Sequence, residues 1–308
     1  MKVSRTKRLL RHLGYQFRRG MLPLKDSGFS SFDEEQILNR YIAELLPAEH
    51  SRTVVDIGAG DGRTGSNTLA LFKSGWKGVG VEWDARKARK LARVYEQLPE
   101  ASACRLRVTP DNVVPLLEAY GVERNFGVLS VDIDSYDYWI LDAVLARYRP
   151  QLVVTEINEK IPPPIEFRVK YDPDFRSREH FYGYSIACLE ELCALRGYAL
   201  IDLEYNNAFL APKELAGARA LTPESAYRRG YLERPDRRAK FHRNQNMETL
   251  HAVGPEEGVR FIRQFFSQLA GKYELGIATD AAAPEDAPVQ DADYSTARPA
   301  ESLQPAPR

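Results

Sequence analysis

The sequence predicts an α/β protein with a doubly wound, seven-stranded, mostly parallel sheet and a helical C-terminal extension. Two observations carry this prediction: short β-branched runs alternate with helical segments between residues 53 and 158, and a glycine-rich turn follows the first run. Strands that alternate with helices form right-handed crossovers, and the helices then cover both faces of a parallel sheet. A chain of 308 residues is long enough to bury a sizeable core.

The predicted elements follow from hydrophobic periodicity. Five apolar runs are the expected parallel strands: RTVVDIG, KGVGVEW, CRLRVTP, FGVLSVDID and PQLVVTEIN. Helices are expected between them at 67–74, 85–97, 112–119 and 138–148. A proline-rich loop, EKIPPPIEFRVKYDPDF, comes next. It precedes a helix in SIACLEELCALRG and a strand pair at the sheet edge in YALIDLEY and NAFLAPKEL.

Composition divides the chain into four parts. Residues 1–30 form a basic arm whose first 20 residues carry seven Lys/Arg and no acid. An amphipathic helix against the domain is the expected form of this arm, with attachment to a membrane surface or nucleic acid as the alternatives. The α/β domain spans 31–212 and the helical extension 213–275. Residues 276–308 are rich in Ala, Pro and Asp and are predicted to be disordered, because they bury too little apolar surface to offset chain ordering.

Charge and cysteine content exclude several classes of protein. Lys plus Arg (43) equals Asp plus Glu (43), so no overall field attracts nucleic acid, and a nucleic-acid partner is not expected. No apolar run approaches the roughly 20 residues of a transmembrane helix, and no signal core follows the basic start. The cysteines, Cys104, Cys188 and Cys193, match no metal-ligand spacing. We therefore expect reduced thiols in a cytoplasmic protein. The sequence indicates no oligomeric state.

The glycine-rich turn VVDIGAGDGRTGS ends the first predicted strand. Gly58, Gly60 and Gly62 allow a tight turn and a close approach of the backbone to a ligand. Asp56 lies at the end of this strand, and Glu82 closes the next one, 26 residues later. An acid in that position can accept two hydrogen bonds from the hydroxyls of a ribose.

The spacing of the turn distinguishes between adenosine-containing ligands. A dinucleotide fingerprint is G-x-G-x-x-G, whereas this turn has G-x-G-x-G. Asp56 and Asp61 would repel a pyrophosphate, but they suit a cationic ligand that carries an amino acid. Trp83, beside the second strand end, offers a flat face for adenine.

DIGAGDG followed by VGVEWD resembles motifs I and II of the class I S-adenosylmethionine-dependent methyltransferases, which have a Rossmann-like fold. The resemblance continues through VTPDNV and VLSVDIDSYDYW. The later FYGYSIACLEELCALRGYALIDLEYNNAFL is similar to the closing helix and strand pair of FkbM-like and related uncharacterised bacterial methyltransferases. The resemblance covers about Thr53–Leu210.

This resemblance implies a role for each matching position. The three glycines of the turn would line the amino-acid end of S-adenosylmethionine, Asp56 would lie near its ammonium group, and Glu82 would bind its ribose. Asp111 or Asn112, after the third strand, would meet adenine. The alternative for this last pair is a helix cap ahead of VVPLL.

Acidic residues follow the fourth and fifth predicted strands. Asp132 and Asp134 share one face if the fourth strand runs that far, and Glu156 and Asn158 have the same relation after the fifth. Neighbouring strands lie about 4.8 Å apart, and ligands bind beyond the carboxyl ends of such strands. We therefore expect these oxygen-bearing side chains to converge.

Three interpretations of the acids remain open. Asp132, Asp134 and Glu156 could hold Mg²⁺, which would bind vicinal hydroxyls of a substrate. Several sugar and catechol methyltransferases that resemble this fold use acids of the fourth and fifth strands in this way, although this chain has Glu-x-Asn rather than adjacent acids. Alternatively, a carboxylate deprotonates a substrate hydroxyl without metal. The third interpretation is that Asp134 or Ser135 caps the next helix, with Asp137 in its first turn; for Asp137 alone this one is favoured.

Several further residues are candidates for the substrate side. His180 is a candidate general base, because an ordinary histidine pKa of about 6.5 suits proton transfer at neutral pH; a structural histidine is the alternative. Tyr182 is expected to shape the pocket. Asn158, Asn206 and Asn207 are expected to hydrogen-bond substrate, and an ordinary turn is the alternative for Asn206 and Asn207.

The predicted function is methyl transfer from S-adenosylmethionine to a hydroxyl oxygen of a small molecule or sugar. The reaction is an in-line displacement in which the protein aligns the reactants and removes a proton from the acceptor. An NAD-dependent oxidoreductase and a non-catalytic cofactor-binding module of the same fold are the alternatives.

Overall fold

Seven strands form one mixed sheet in the computed structural model, which describes residues 28–175 and 178–278. The strands of the protein are β1 (Thr53–Ile57), β2 (Lys77–Glu82), β3 (Ala101–Arg105), β4 (Val128–Val131), β5 (Leu152–Glu156), β6 (Ile165–Val169), β7 (Tyr198–Glu204), β8 (Asn207–Pro212) and β9 (Tyr273–Ile277). The order in the large sheet is β3-β2-β1-β4-β5-β8-β7. The first five of these are parallel, and β8 runs antiparallel to both of its neighbours. The predicted doubly wound, Rossmann-like sheet is confirmed.

The helices lie between and after these strands. They are α1 (Glu34–Leu45), α2 (Leu69–Lys73), α3 (Ala85–Tyr95), α4 (Val113–Ala119), α5 (Asp137–Leu145), α6 (Ile186–Arg196), α7 (Lys213–Ala216), α8 (Pro223–Tyr227), α9 (Arg237–Lys240) and α10 (Pro255–Phe265). Tighter 3₁₀ turns at Gly217–Arg219, His242–His251 and Ser267–Leu269, and a wider π turn at Arg228–Leu232, complete the C-terminal part. The helices described here are too short and too polar to cross a lipid bilayer.

Local chemistry explains where the central helices begin and end. The Asp84 carboxylate accepts the backbone N–H groups of Arg86 and Lys87, both at 2.9 Å, so α3 begins directly after β2. Ser185 accepts the Cys188 N–H at the start of α6. Gly197 ends that helix with a φ of +72°, a conformation that glycine adopts without steric cost.

The core has two apolar layers, one on each face of the sheet. Val55 and Ile57 of β1 point into the larger layer, and Val54 points into the smaller one. This alternation follows from the period of two along a strand. Because both faces are covered, β1 and β5 are buried along their whole length. The carboxyl ends of the parallel strands are thereby left as the edge where a ligand can enter.

The structure differs from the predicted elements in three places. The proline-rich loop contains β6, which pairs antiparallel with β9. Its alternating buried residues, Ile165, Phe167 and Val169, are a strand pattern that the neighbouring prolines obscured. Strand β9 also includes Gly276 and Ile277, assigned above to the tail. The third strand begins at Ala101, earlier than CRLRVTP suggested.

The described residues include only some of the predicted domains. Residues 31–212 hold the seven-stranded sheet, and the stretch from 213 to 272 is mostly helical or turn. Most of the basic arm (residues 1–27) and most of the tail (279–308) lie outside the described residues.

Candidate active site

A cavity of about 750 Å³ opens at the carboxyl ends of β1, β2 and β4. The order of strands reverses between β1 and β4, which is where open α/β sheets bind ligands. The turn after β1, the end of β2, the segment after β3 and the loop between β4 and α5 all contribute to its wall. Four separate segments of the sequence are thus brought to one site.

The three glycines of the turn have three different tasks. A Cβ on Gly58 would lie 1.6 Å from the backbone oxygen of Asp132, so this glycine permits a close contact between two loops. A Cβ on Gly62 would lie 2.6 Å from Cδ1 of Leu91, so this glycine permits the packing of α3. Gly60 has a φ of +58° and no atom within 4 Å of a Cβ, and it faces the cavity. Gly58 and Gly60 therefore line the cavity, whereas Gly62 does not.

Asp56 and Glu82 lie on the floor of the cavity, at the ends of β1 and β2. The Thr68 hydroxyl donates to Oδ2 of Asp56 at 2.6 Å, and the Asp84 N–H donates to Oε1 of Glu82 at 2.6 Å. Burial raises the pKa of Asp56 to about 6, and the Glu82 charge adds to the shift. Both positions fit the predicted binding of a cation and a ribose.

The adenine side of the prediction is met only in part. Trp83 lines the cavity and is exposed, with the Arg107 guanidinium 5.3 Å from its ring centroid. Asp111 is exposed and, like Asn112, is not among the lining residues. The Asn112 side chain accepts the Thr109 N–H at 2.7 Å and so stabilises its own turn. Arg107, which the sequence analysis missed, occupies the place expected for the Asp111–Asn112 pair.

Asp132, Asp134 and Glu156 converge as predicted; Asp132 and Asp134 line the cavity, and Glu156 lies next to them outside its wall. One carboxylate oxygen from each lies within 4.8 Å of the others. Asp134 has a φ of +54°, a strained conformation for a residue other than glycine. Asn206 donates to Oε1 of Glu156 at 2.8 Å, while Oε2 is buried and has no hydrogen-bond partner in the described part of the chain.

The electrostatics of this cluster favour a proton or a cation within it. Burial, and then the charges of Asp134 and Asp137, raise the pKa of Asp132 to about 8. Burial and the Asp132 charge also raise the pKa of Glu156 well above its ordinary range. Like charges this close cannot all ionise without compensation. Carboxylate oxygens are also the ligands that Mg²⁺ prefers, so the residues fit such an ion.

Asp137 has the structural role that the sequence favoured for it. It is the first residue of α5, and its carboxylate accepts the N–H groups of Ile133 and Ser135 at 2.7 and 2.8 Å. These bonds fold the loop that carries Asp134. Neither Asp134 nor Ser135 caps the helix, since Tyr136 holds that position without a side-chain bond.

Asn158, His180 and Tyr182 form a structural group away from the cavity wall. The Asn158 amide donates to the backbone oxygens of His180 and Tyr182, both at 2.9 Å. The Tyr182 hydroxyl accepts from Nζ of Lys160 at 2.6 Å and donates to Oε2 of Glu159 at 3.1 Å. The predicted contacts of Asn158 and Tyr182 with substrate are therefore replaced by contacts within the protein.

His180 is only 4% exposed and has a φ of +66°. Burial and the nearby Lys160 charge hold the pKa of its imidazole below the usual value. It does not line the cavity, so the structure gives it no access to a substrate there. Asn207 is also displaced from its predicted role, because its amide donates to Oε1 of Glu34 at 2.9 Å in the interior.

A buried ion pair behind β5 was missed from the sequence. Glu159 and Lys160 are 2% and 4% exposed, and Nζ of Lys160 lies 3.1 Å from Oε1 of Glu159. The same Oε1 accepts from Asn244 at 2.7 Å, and the Tyr227 hydroxyl donates to the backbone oxygen of Glu159 at 2.5 Å. The signal was the EK pair directly after PQLVVTEIN, where a surface loop would ordinarily begin.

The charge of the cavity wall is strongly negative. Two cations, Lys87 and Arg107, line it on the side of Trp83. Against them stand six carboxylates, none of which forms a salt bridge within residues 28–175 and 178–278: Asp56, Glu82, Asp84, Asp132, Asp134 and Asp174. Such a wall favours ligands with a net positive charge and disfavours polyanions such as a pyrophosphate.

A second cavity of about 370 Å³ adjoins the first and shares Asp174 and Phe175 with it. The Phe175 carbonyl accepts from the Arg107 guanidinium at 3.2 Å. The shared wall thus joins the Trp83 side of the main cavity to the second cavity.

Comparisons with known proteins find similarity in structure but not in sequence. No family model matches this chain, and no curated protein matches it. Among solved structures, it is similar to a SAM-dependent methyltransferase from Aquifex aeolicus, with 12% identity, 59% of this chain and 90% of that chain covered, and a TM-score of 0.36.

Two further solved structures are matched over nearly all of their own length. One is an S-adenosylmethionine-dependent methyltransferase from Clostridium acetobutylicum, with 11% identity, 67% of this chain and 98% of that chain, and a TM-score of 0.37. The other is an O-methyltransferase from Bacillus cereus in complex with SAH, with 16% identity, 65% of this chain and 96% of that chain covered, and a TM-score of 0.36.

Proposed function

We propose that this protein is an S-adenosylmethionine-dependent methyltransferase that acts on a hydroxyl oxygen of a small molecule or sugar. The observation that carries the proposal is the pair Asp56 and Glu82, two buried carboxylates at the carboxyl ends of β1 and β2 that form no salt bridge among the described residues. S-adenosylmethionine brings a sulfonium, an ammonium and a ribose, and it is chemically matched to such a floor. NAD would bring a pyrophosphate to the same acids, which disfavours the oxidoreductase alternative.

Each donor-side residue has a task in this proposal. Asp56 faces the ammonium group, the Glu82 carboxylate accepts from the ribose hydroxyls, and the open face at Gly60 admits the amino-acid end. Trp83 and Arg107 offer two flat surfaces for adenine. The sulfonium supplies the methyl group, and the protein contributes alignment in a site lined by fixed dipoles.

The acceptor side is assigned to Asp132, Asp134 and Glu156. A hydroxyl placed between these carboxylates and the donor would give its proton to Asp132, whose raised pKa of about 8 makes it a competent base once the pH approaches that value and the carboxyl ionises. Mg²⁺ held by the same three residues would instead acidify the hydroxyl. A metal ion, or a proton shared with the Asp132 carboxyl, would satisfy Oε2 of Glu156, because a buried lone oxygen is otherwise costly.

Calorimetry with S-adenosylhomocysteine and with NAD tests the choice of cofactor. We expect binding of S-adenosylhomocysteine and none of NAD, and Asp56→Asn together with Glu82→Gln should weaken the first at least about tenfold, since each removes a charged hydrogen bond. Asp61→Asn is the matched control, because Asp61 lies on the same turn but its carboxylate accepts from Arg63 and Thr64. Binding of NAD alone would refute the proposal.

Transfer of a labelled methyl group to a panel of hydroxylated acceptors tests the reaction itself. Turnover that requires added Mg²⁺ or Mn²⁺ supports the metal, and turnover that persists in chelator supports Asp132 as a metal-free base. Tight binding of S-adenosylhomocysteine without transfer to any acceptor would favour the non-catalytic binding module.

A further inference from the structure

The tip of the β7–β8 hairpin lies against the end of β5. The Asn206 amide donates to Oε1 of Glu156 at 2.8 Å, and the Asn206 carbonyl accepts the Ile157 N–H at 2.8 Å. One residue therefore holds both the carboxylate of Glu156 and the backbone that follows it. Because a hydrogen bond to one oxygen fixes the orientation of a carboxylate, the other oxygen also has a defined place.

Tyr205, the residue before Asn206, is held in a strained conformation by the helical extension. Its φ is +54°, which only glycine adopts without steric cost. Its N–H donates to the Gly230 carbonyl at 3.0 Å, and its hydroxyl donates to Asp236. Nζ of Lys240 donates to the same hydroxyl at 3.0 Å. Three residues of the extension thus fix the backbone at the hairpin tip.

Gly230 brings the extension close enough to do this. A Cβ on Gly230 would lie 2.2 Å from the backbone oxygen of Leu203 in β7. Any larger residue would lift the turn at Arg228–Leu232 away from the strand. The backbone of the extension therefore packs directly against the backbone of the hairpin, close to the contact between Asn206 and Glu156.

We propose that Asn206 is the positioning residue for Glu156 and that the helical extension sets its position by holding Tyr205 in the left-handed conformation. The inference rests on the proposed function, because it gives Glu156 a place in the acceptor side of that site. It assigns the extension a task in the active site rather than in folding alone. Outer hydrogen bonds of this kind orient the groups that contact a metal or substrate.

Crystal structures of two variants in complex with S-adenosylhomocysteine test the first part. In Asn206→Ala we expect the Glu156 carboxylate to turn away from Asp132 and Asp134. Asn207→Ala is the matched control: it removes an amide from the same hairpin that donates to Glu34 instead, and Glu156 should stay in place. Asn206→Asp, equal in size but without the donor, serves as a second variant if Asn206→Ala does not fold.

Titration with Mn²⁺, read by electron paramagnetic resonance, supplies a readout that loss of stability would not move. We expect about tenfold or greater weakening of Mn²⁺ binding in Asn206→Ala, with unchanged affinity for S-adenosylhomocysteine, and no weakening in Asn207→Ala. An unmoved Glu156 carboxylate, or wild-type affinity for Mn²⁺ in Asn206→Ala, overturns the role of Asn206. If wild-type protein binds no Mn²⁺ but Glu156 moves in Asn206→Ala, the metal is removed from the proposed function and the positioning role stands.

Tyr205→Phe tests the contribution of the extension. It keeps the ring against Phe32, 4.5 Å between centroids, and deletes the bonds to Asp236 and Lys240. We expect Glu156 to shift in the same direction as in Asn206→Ala and by a smaller amount. A structure of Tyr205→Phe with Asn206 and Glu156 both in their wild-type positions would overturn this part of the proposal.

Discussion

Two glutamates three residues apart have opposite surroundings. Glu159, in the turn after β5, meets a lysine, an asparagine and a tyrosine hydroxyl, and its charge is fully compensated. Glu156, which ends β5, accepts from Asn206 and has two further carboxylates beside it, and it forms no salt bridge within residues 28–175 and 178–278. Both are almost completely buried, at 2% and 8% exposure.

The difference separates a structural site from the candidate active site. A buried charge is costly unless it is paired, so a compensated network such as that of Glu159 ties the sheet to the helical extension. An uncompensated cluster in a cavity works against folding, and clusters of this kind concentrate where a ligand supplies the missing charge. The four predictions below address this contrast, from the largest expected effect to the smallest.

Asp132→Asn should lower methyl transfer by about 10²–10⁴-fold, because it removes the candidate base or metal ligand while keeping the size of the side chain. Transfer of a labelled methyl group measures the effect. Calorimetry with S-adenosylhomocysteine is the control, and its affinity should not change. Wild-type turnover by this variant would remove the acid cluster from the mechanism.

Lys160→Met should destabilise the fold by about 3–5 kcal/mol, because it leaves Glu159 buried and unpaired. Denaturant unfolding measures the change, and the double variant with Glu159→Gln should recover part of it. Glu156→Gln is the matched comparison: it removes a buried carboxylate that has no cation beside it, and we expect no loss of stability. Equal destabilisation by Lys160→Met and Glu156→Gln would erase the contrast.

The stability of the wild-type protein should fall as the pH rises from about 4 to about 8. Burial and neighbouring acids raise the pKa of Asp132 from its ordinary 3.8 to about 8, so the folded state holds a proton in this window that the unfolded state has released. The stabilisation that this proton provides is complete below pH 3.8, and it is lost as the pH rises through about 8.

Thermal unfolding of wild type and Asp132→Asn at pH 5 and pH 8 checks this expectation. The asparagine cannot ionise. The melting temperature of the variant minus that of wild type should therefore be at least about 3 °C larger at pH 8 than at pH 5. Saturating Mn²⁺ should reduce that increase if the cluster binds metal. A difference that does not depend on pH would contradict the raised pKa.

His180→Asn should change methyl transfer least, because His180 lies outside the cavity wall and asparagine tolerates its positive φ. We expect turnover close to wild type, in contrast to Asp132→Asn. A loss of turnover as large as that of Asp132→Asn, without loss of stability, would restore histidine as the base.

Local patterns were sufficient for the sheet and for the residues at the ends of its strands. Asp56, Glu82, Asp132 and Asp134 follow apolar strands directly, and topology alone carries them to one edge. Glu156 is predictable for the same reason. The doubly wound order also follows, since alternating strands and helices leave few other arrangements.

Residues that depend on distant partners were not predictable in this way. Asn158 and Tyr182 have side chains suited to substrate, but their partners are fixed by the packing of loops far apart in sequence. Arg107 was missed because a lone arginine after a strand has no pattern. The pairing of β6 with β9, more than 100 residues apart, likewise leaves no local signal except alternation.

The contact between Gly58 and the backbone oxygen of Asp132 has an evolutionary consequence. The turn after β1 and the loop after β4 touch through main-chain atoms, so their separation does not depend on which side chains line the cavity. Substitutions at Asp174, Phe175 or the adjoining second cavity can then alter which ligands fit, while the spacing of this turn and this loop stays the same. We expect relatives of this chain to diverge in ligand choice first and to keep a glycine at this position throughout.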